Sequence, residues 1–435
     1  MPFLFKHMNP LKTPFQHLLT AILYQMGIHL YGFAMLVIAP FYRKARLMRD
    51  GQRKSWDIIR EKAKSNQSYI WFHAASLGEF EQGRPVMERI KREHPDQLIL
   101  LTFFSSSGYE VRKDWPGADI ICYLPLDTRR NARRWVDSIR ISEAIFVKYD
   151  FWPNYLRDLQ SKGIPLYSIS AIFRRDQMFF KARGSWYRNL LLHFTRIFVQ
   201  DEGSIQLLAE FGIANAVVAG DTRFDRVCEL AQKAESFPLI ETFCKGEEKI
   251  LVAGSTWPAD EALLEQLLKE MPKLKIILVP HEIGEDHLSG IEKRFGQQAL
   301  RYTRADETQV QQARCLIIDT IGMLSSVYRY ADVAYIGGGF GAGIHNTLEA
   351  AVWEIPVLFG PRYQRFREAC ELISVGGAAS INTYDELKQQ VQMMLSKPEA
   401  GKHAGAYVQE HSGATERILQ IIQPGQSTSA YGRIV

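Results

Sequence analysis

The chain has 435 residues, 46% hydrophobic and 23% charged, and carries no low-complexity segment or internal repeat. That length is enough for two or three globular domains. A net charge of +5 excludes the strongly basic profile of a dedicated nucleic-acid binder but suits a protein that meets anionic lipid or phosphorylated substrates. The five scattered cysteines form no metal-ligand spacing, so a reducing compartment and no zinc site are expected.

The first element is apolar. No Asp, Glu, Lys or Arg occurs from Thr13 to Tyr42, long enough for a membrane-spanning helix. Gln25 and His29 weaken that reading, leaving a helix lying in the interface or a buried core helix as alternatives. A basic cluster follows at Arg43, Lys44, Arg46, Arg49, Arg53 and Lys54. Its position predicts that the rest of the chain lies on the cytoplasmic side.

From residue 65 short β-branched or aromatic runs alternate with helical stretches. They fall at 69–75, 98–104, 119–124, 144–148, 166–170, 196–200 and 216–220, and a second series falls at 249–254, 275–280, 314–319, 332–338 and 356–361. Continuously apolar strands between helices predict parallel sheets. The polar stretch 230–249 separates the two series. The reading is an anchor over 1–45 and two Rossmann-like domains, 46–235 and 236–435, facing a cleft that binds ligand at the strands' carboxyl ends.

Four loops stand at such ends. The first, after 69–75, carries Ser76, Gly78 and Glu79 at a helix start. Glu79 is either a capping acid or a general base able to take a proton from a hydroxyl. In the second domain, Ser255 and Thr256 precede a helix with Pro258 near its first position, and either cap it or touch a phosphate. His281 and Glu282 end the next strand. The fourth loop, "GGGFGAGIHNTLEAAVW" (337–353), is glycine-rich. Its glycines recur at spacing two and never meet the dinucleotide spacing G-x-G-x-x-G, which argues against a nicotinamide cofactor. Glycines open the backbone to an anion, and the helix expected over 345–353 would offer free amides, with His345 and Asn346 at its start and Glu349 toward a ribose.

The ordered set "HAASLGEFEQGRPV", "DFWPN", "GDTRFD", "AGSTWPADE", "VPHE" and "GGGFGAGIHNTLEAA…PVLFGP" resembles the 3-deoxy-D-manno-octulosonic acid (Kdo) transferases of lipopolysaccharide assembly across almost the whole chain. The resemblance implies an inverting GT-B-type glycosyltransferase on the cytoplasmic face of the inner membrane. Such an enzyme moves Kdo from CMP-Kdo to the lipid A precursor, lipid IVA. It implies no metal or other cofactor and no nucleic-acid partner. Glu79 matches the presumed base, which would deprotonate the 6′-hydroxyl of the acceptor for attack on C2 of Kdo. Ser76, Gly78, Asp150, Arg174 and Arg175 match the acceptor side. Ser255, Thr256, His281, Glu282, Gly338, Gly339, His345, Asn346 and Glu349 match the donor side.

The chain departs from the family pattern in two places. Lys148 stands where the family has the first Glu of "E-T-E-L-W-P-N", and Ile172 and Phe173 separate Ala171 from Arg174. Arg174, Arg175, Lys181 and Arg183 still form a basic segment suited to acceptor phosphates or anionic headgroups. Other readings remain open: a UDP-N-acetylglucosamine-type transferase at the same membrane face, and a non-transferase on the same fold, either a nucleotide-sugar epimerase or a membrane-bound binding scaffold without turnover. The second domain closes with a terminal helix near 403–422, which packs either within that domain or back on the first, and a disordered tail follows.

Overall fold

A computed structural model describes residues 12–181 and 184–422. Arg183 of the expected basic segment, residues 1–11 of the anchor and the tail from 423 onward lie outside the described residues. The chain forms two compact units. One comprises the residues up to Arg223 together with those from Gly413, and the other is Phe224–Ser412.

The first unit begins with two helices, α1 (Lys12–Ile38) and α2 (Arg43–Lys62), followed by the first strand and α3 (Leu77–Glu93). Its sheet holds β1 (Tyr69–Ala74), β2 (Leu98–Phe103), β3 (Ile120–Tyr123), β4 (Ile141–Val147), β5 (Leu166–Ala171), β6 (Arg196–Val199) and β7 (Ala216–Val218). The order is β3-β2-β1-β4-β5-β6-β7, and each pairing is parallel. Every residue of β1 and β5 is buried, as expected where helices cover both faces. Order reverses between β1 and β4, and the carboxyl ends there form the crevice where such sheets bind ligands.

The second unit repeats the plan with β8 (Lys249–Thr256), β9 (Leu274–Pro280), β10 (Ala299–Arg301), β11 (Cys315–Ile317), β12 (Val333–Ile336), β13 (Val357–Phe359) and β14 (Ala378–Ser380). Its all-parallel order is β10-β11-β9-β8-β12-β13-β14. The reversal falls between β8 and β12. The edge strands β10 and β14 were not expected from sequence: each has three residues and too little β-branched character to register.

Two boundaries differ from the sequence reading. The division expected at 235/236 falls at 223/224, inside the helix Thr222–Gln232. The closing helix, Ala414–Ile422, belongs to the first unit and not to the second. Its Ile418, Leu419 and Ile422 enter a cluster with Phe80, Val86 and Ile90 of α3, and Arg417 Nε donates to the Ala219 carbonyl at 2.8 Å. Each buried aliphatic contributes roughly 1.5–3 kcal/mol. Returning the chain after a long excursion costs only about 0.6 kcal/mol per doubling of loop length, so burial wins.

The helix α1 has its polarity inside out. His17, Tyr24, Gln25, Ile28, Gly32 and Met35 lie at helical spacing on the side that meets the first unit. His17 Nε2 is 3.1 Å from Ser185 Oγ, Tyr24 OH donates to Asp127 Oδ2 at 2.7 Å, and Gln25 Nε2 donates to Asn154 Oδ1 at 2.9 Å. A Cβ at Gly32 would come within 2.9 Å of Leu126, so the missing side chain permits this approach. Leu18, Leu19, Ile22, Leu23, Met26, Leu30 and Phe33 are exposed on the outer side. The span His17–Ile38 is long and apolar enough to cross a membrane, and only 6% of its most apolar window is buried.

Candidate functional site

In the first unit the residues expected at the crevice gather around a histidine. His73, the penultimate residue of β1, is fully buried. Its Nδ1 lies 2.9 Å from Thr102 Oγ1 on β2. Its Nε2 lies 2.8 Å from Asp150 Oδ2 on the loop after β4. Trp152 Nε1 donates to the same Asp150 oxygen at 3.0 Å, and Trp71 Nε1 donates to Thr102 Oγ1 at 2.8 Å. Asp150 is thus fixed by two neighbours and still a quarter exposed.

Glu79 occupies the third position of α3. Its carboxylate accepts the Ser76 backbone N–H at 3.1 Å, satisfying one of the orphan donors of the helix start. Burial pushes its carboxyl above the usual range and the nearby Asp150 charge adds to this, while Lys148 and His73 oppose it. This is the balance expected of a carboxylate used as a base near neutral pH. Gly78 is exposed, and a Cβ there would meet open space, so packing does not demand the glycine. Lys148 adopts φ 60°, an uncommon conformation for a non-glycine, in the turn immediately after β4.

Of the acceptor-side candidates, Ser76, Gly78, Glu79 and Asp150 come together at the β1/β4 reversal. Arg174 and Arg175 sit apart, on the exposed turn after β5, and Arg175 is forked onto Glu210 at 2.8 and 2.6 Å. A separate cavity of about 400 Å³ opens among α1, α2 and the 125–131 segment, with Tyr31, Arg49, Gln52, Arg53, Trp56 and Asn131 in its lining.

In the second unit, three rings stack at the ends of β8, β9 and β12. Trp257 lies over His281 with centroids 4.8 Å apart, and His281 over His345 at 4.4 Å. Trp257 Nε1 donates to His345 Nε2 at 3.2 Å, which requires that nitrogen to be unprotonated. Burial lowers the His345 pKa, and the neighbouring His281 lowers it further. Ser255 takes φ 54° where the β8–β9 register shifts. This turns its carbonyl toward the glycine loop, so that a Cβ at Gly337 would lie 2.3 Å from Ser255 O.

The loop itself is held from within. Asp260, almost fully buried, accepts from Gly338 N at 3.0 Å, from Trp257 N at 2.9 Å and from Tyr335 OH at 2.8 Å. Gly338 carries φ 90°, and Gly339 passes so close to Gly360 that a Cβ would meet its Cα at 2.5 Å. The glycines therefore fit backbone to backbone, and the Gly338 amide is committed to Asp260. Arg362 Nη1 donates to the Gly341 carbonyl and Arg365 Nη2 to Ala342 O at 2.7 Å. Both arginines are exposed beside the loop.

Several expectations need correction. The helix anticipated over 345–353 is one turn, Leu348–Ala351, too short for an appreciable dipole. Asn346, two residues before it, accepts from Leu348 N at 3.1 Å and donates to Glu349 at 3.0 Å. Thr256 is fully buried and its hydroxyl goes to Glu261 at 3.2 Å, so it shapes the strand end and does not present a ligand contact. Glu282 is exposed, and its carbonyl, not its carboxylate, meets His287 at 2.9 Å. The sequence reading missed His73, Trp152, Trp257, Asp260, Arg362 and Arg365. The Asp260 signal was legible, since an acid three positions after a helix N-cap commonly accepts its backbone N–H. Among the described residues, no group of three or more His, Cys, Asp or Glu is placed to hold a metal ion.

A family profile described as 3-deoxy-D-manno-octulosonic-acid transferase (Kdo transferase) matches residues 50–226. The chain is 26% identical over 373 residues to a 3-deoxy-D-manno-octulosonic acid transferase of Haemophilus influenzae, covering 82% of this chain and 86% of that one. It is 27% identical over 345 residues to the enzyme of that name from Aquifex aeolicus, covering 78% and 89%. Among solved structures, a UDP-GlcNAc 2-epimerase from Neisseria meningitidis matches with a TM-score of 0.57 at 13% identity, covering 82% of this chain and 99% of that one. MurG of Acinetobacter baumannii matches with a TM-score of 0.52 at 13% identity and the same coverage. At such identity these likenesses establish the fold, which is of the GT-B type, and nothing about substrates.

Proposed function

The chain belongs to the Kdo transferase family of glycosyltransferases, and from that premise we propose that it transfers Kdo from CMP-Kdo to the lipid A precursor lipid IVA, with inversion. The observation that carries the proposal is Glu79, half-buried at the β1/β4 reversal with its pKa raised by burial, beside buried His73 and its partly exposed partner Asp150. Glu79 takes the proton from the acceptor 6′-hydroxyl as that oxygen attacks C2 of Kdo. The C2–O bond to the phosphate breaks, and CMP leaves with the electron pair. His73, Thr102 and Trp152 hold Asp150 in place near the base.

Donor binding falls to the second unit. Ser255, His281, His345 and the 338–346 loop line the ends of β8, β9 and β12, and Arg362 and Arg365 supply exposed cations for the leaving phosphate. Their present partners are backbone carbonyls, which a phosphate can displace at little cost. Asn346 and Glu349 lie on the following turn, suited to the ribose.

The outer face of α1 and the basic residues of α2 suit the cytoplasmic face of the inner membrane. Inward contacts at His17, Tyr24, Gln25 and Gly32 run from residue 17 to residue 32, about 22 Å of helix. A helix lying along the first unit over that length favours the interfacial arrangement over a span. The cavity with Arg49 and Arg53 beside α1 suits the phosphate and first acyl carbons of the acceptor.

Nucleotide protection tests the donor assignment. CMP at 100 times its Kd raises stability by about 2.7 kcal/mol. A rise in thermal midpoint with CMP and none with UDP is expected, and the reverse pattern supports a UDP-sugar enzyme instead.

A further inference from the structure

We propose that α1 is a positioning element for the catalytic loop as well as a lipid anchor, with Tyr24 and Gln25 holding the Asp127–Asn154 pair and, through it, the Asp150–Trp152 segment. The proposal rests on the transferase reading of the first unit and goes beyond it.

Asp127 is fully buried in the segment after β3. Its Oδ2 accepts from Asn154 N at 3.0 Å and its Oδ1 from Tyr155 N at 3.1 Å. Those are two orphan amides of the first turn of the helix Pro153–Ser161. Asn154 Nδ2 returns a bond to the Asp127 carbonyl at 2.6 Å. The two remaining positions of this knot are filled from α1: Tyr24 OH donates to Asp127 Oδ2 and Gln25 Nε2 to Asn154 Oδ1. Two residues upstream of Asn154, Trp152 donates to Asp150, which meets His73. A second limb reaches the same point. Tyr31 stacks on Phe104 with centroids 6.2 Å apart, and Phe104 meets Trp152 with tilted rings at 4.6 Å.

An anchor alone has no use for these polar groups. A phenol and an amide turned inward against the first unit cost free energy unless hydrogen-bonded, and an apolar side chain at either position would pack there without needing a partner. Their placement on the inward stripe, aimed at the start of the loop-bearing helix, is what a strut needs.

The full chain in detergent micelles tests this with Tyr24→Phe and Gln25→Met, which keep size and each remove the hydrogen bond to the Asp127–Asn154 pair. Two readouts apply: kcat with CMP-Kdo and the acceptor lipid, and hydrogen exchange of the amides in residues 149–155. A third variant, Leu19→Ser/Leu23→Ser, alters only the outer face. Expected for each inward variant is a roughly tenfold fall in kcat with unchanged donor KM, unchanged membrane partition and faster exchange at 149–155. The outer pair should lower membrane partition while leaving micellar kcat and exchange intact. Unchanged exchange in the inward variants overturns the proposal, as does a fall in kcat that only tracks lost partition. If the wild-type chain transfers nothing while exchange still responds, the transferase reading fails and the strut stands.

Discussion

Replacing Glu79 by Gln separates its two roles. As the third residue of α3, Glu79 accepts the Ser76 amide at 3.1 Å, and a glutamine oxygen of the same reach accepts that bond equally. Loss of a cap costs about 1 kcal/mol, so retaining it keeps the thermal midpoint within about 2–4 °C of wild type for a unit of this size. As the base, Glu79 supplies something an amide cannot, and removing a general base slows turnover by about 10²–10⁴-fold, or about 3–5 kcal/mol. Turnover of CMP-Kdo by the variant should therefore fall by at least two orders of magnitude while CMP protection of the second unit is unchanged. Glu79→Ala should add the cap penalty to the same kinetic loss. A Glu79→Gln enzyme turning over within about threefold of wild type would refute the reasoning and leave Glu79 as a capping residue only.

The acid limb of kcat/KM should report the same carboxyl. Glu79 acts ionised, so the rate falls as pH drops through its pKa, and burial with Asp150 nearby sets that limb above the usual carboxylate value of 4.5. Asp150→Asn removes a charge that raises the pKa, so the limb should move to lower pH. Lys148→Met removes a cation that lowers it, so the limb should move to higher pH, and a pH–rate series on both variants checks the signs. Gly339→Ala places a methyl 2.5 Å from the Gly360 Cα. Overpacking of this kind costs about 1–3 kcal/mol, so the thermal midpoint of the second unit should drop by several degrees and CMP protection should weaken. A variant as stable as wild type would show that the loop can move away.

Much of this was legible because burial leaves a strong trace. Runs such as Ile145, Phe146 and Val147 on β4, or Ile276, Ile277 and Leu278 on β9, are apolar on both faces and announce parallel strands. Three-residue edges such as Ala378–Ser380 leave no such trace. At the site, Glu79 was legible as an acid at a strand–helix turn. His73 was not, because inside a strand it reads as one more core residue until Asp150, 77 positions away, is brought to it. Thr256 and Gly338 were misread for the opposite reason. Residue type and loop position suited a phosphate, yet a buried acid close by, Glu261 or Asp260, takes the polar group. The inward stripe of α1 was legible only as the oddity of Gln25 in an apolar run, and its partners Asp127 and Asn154 lie more than 100 residues away.

The most direct measurement is incubation of the purified full chain with CMP-Kdo and tetra-acylated lipid A precursor, with the lipid product read by mass. The account predicts precursor carrying one or more added Kdo units, formed by wild type and not by Glu79→Gln. Unaltered precursor with CMP-Kdo, alongside transfer from a UDP-sugar, would contradict it.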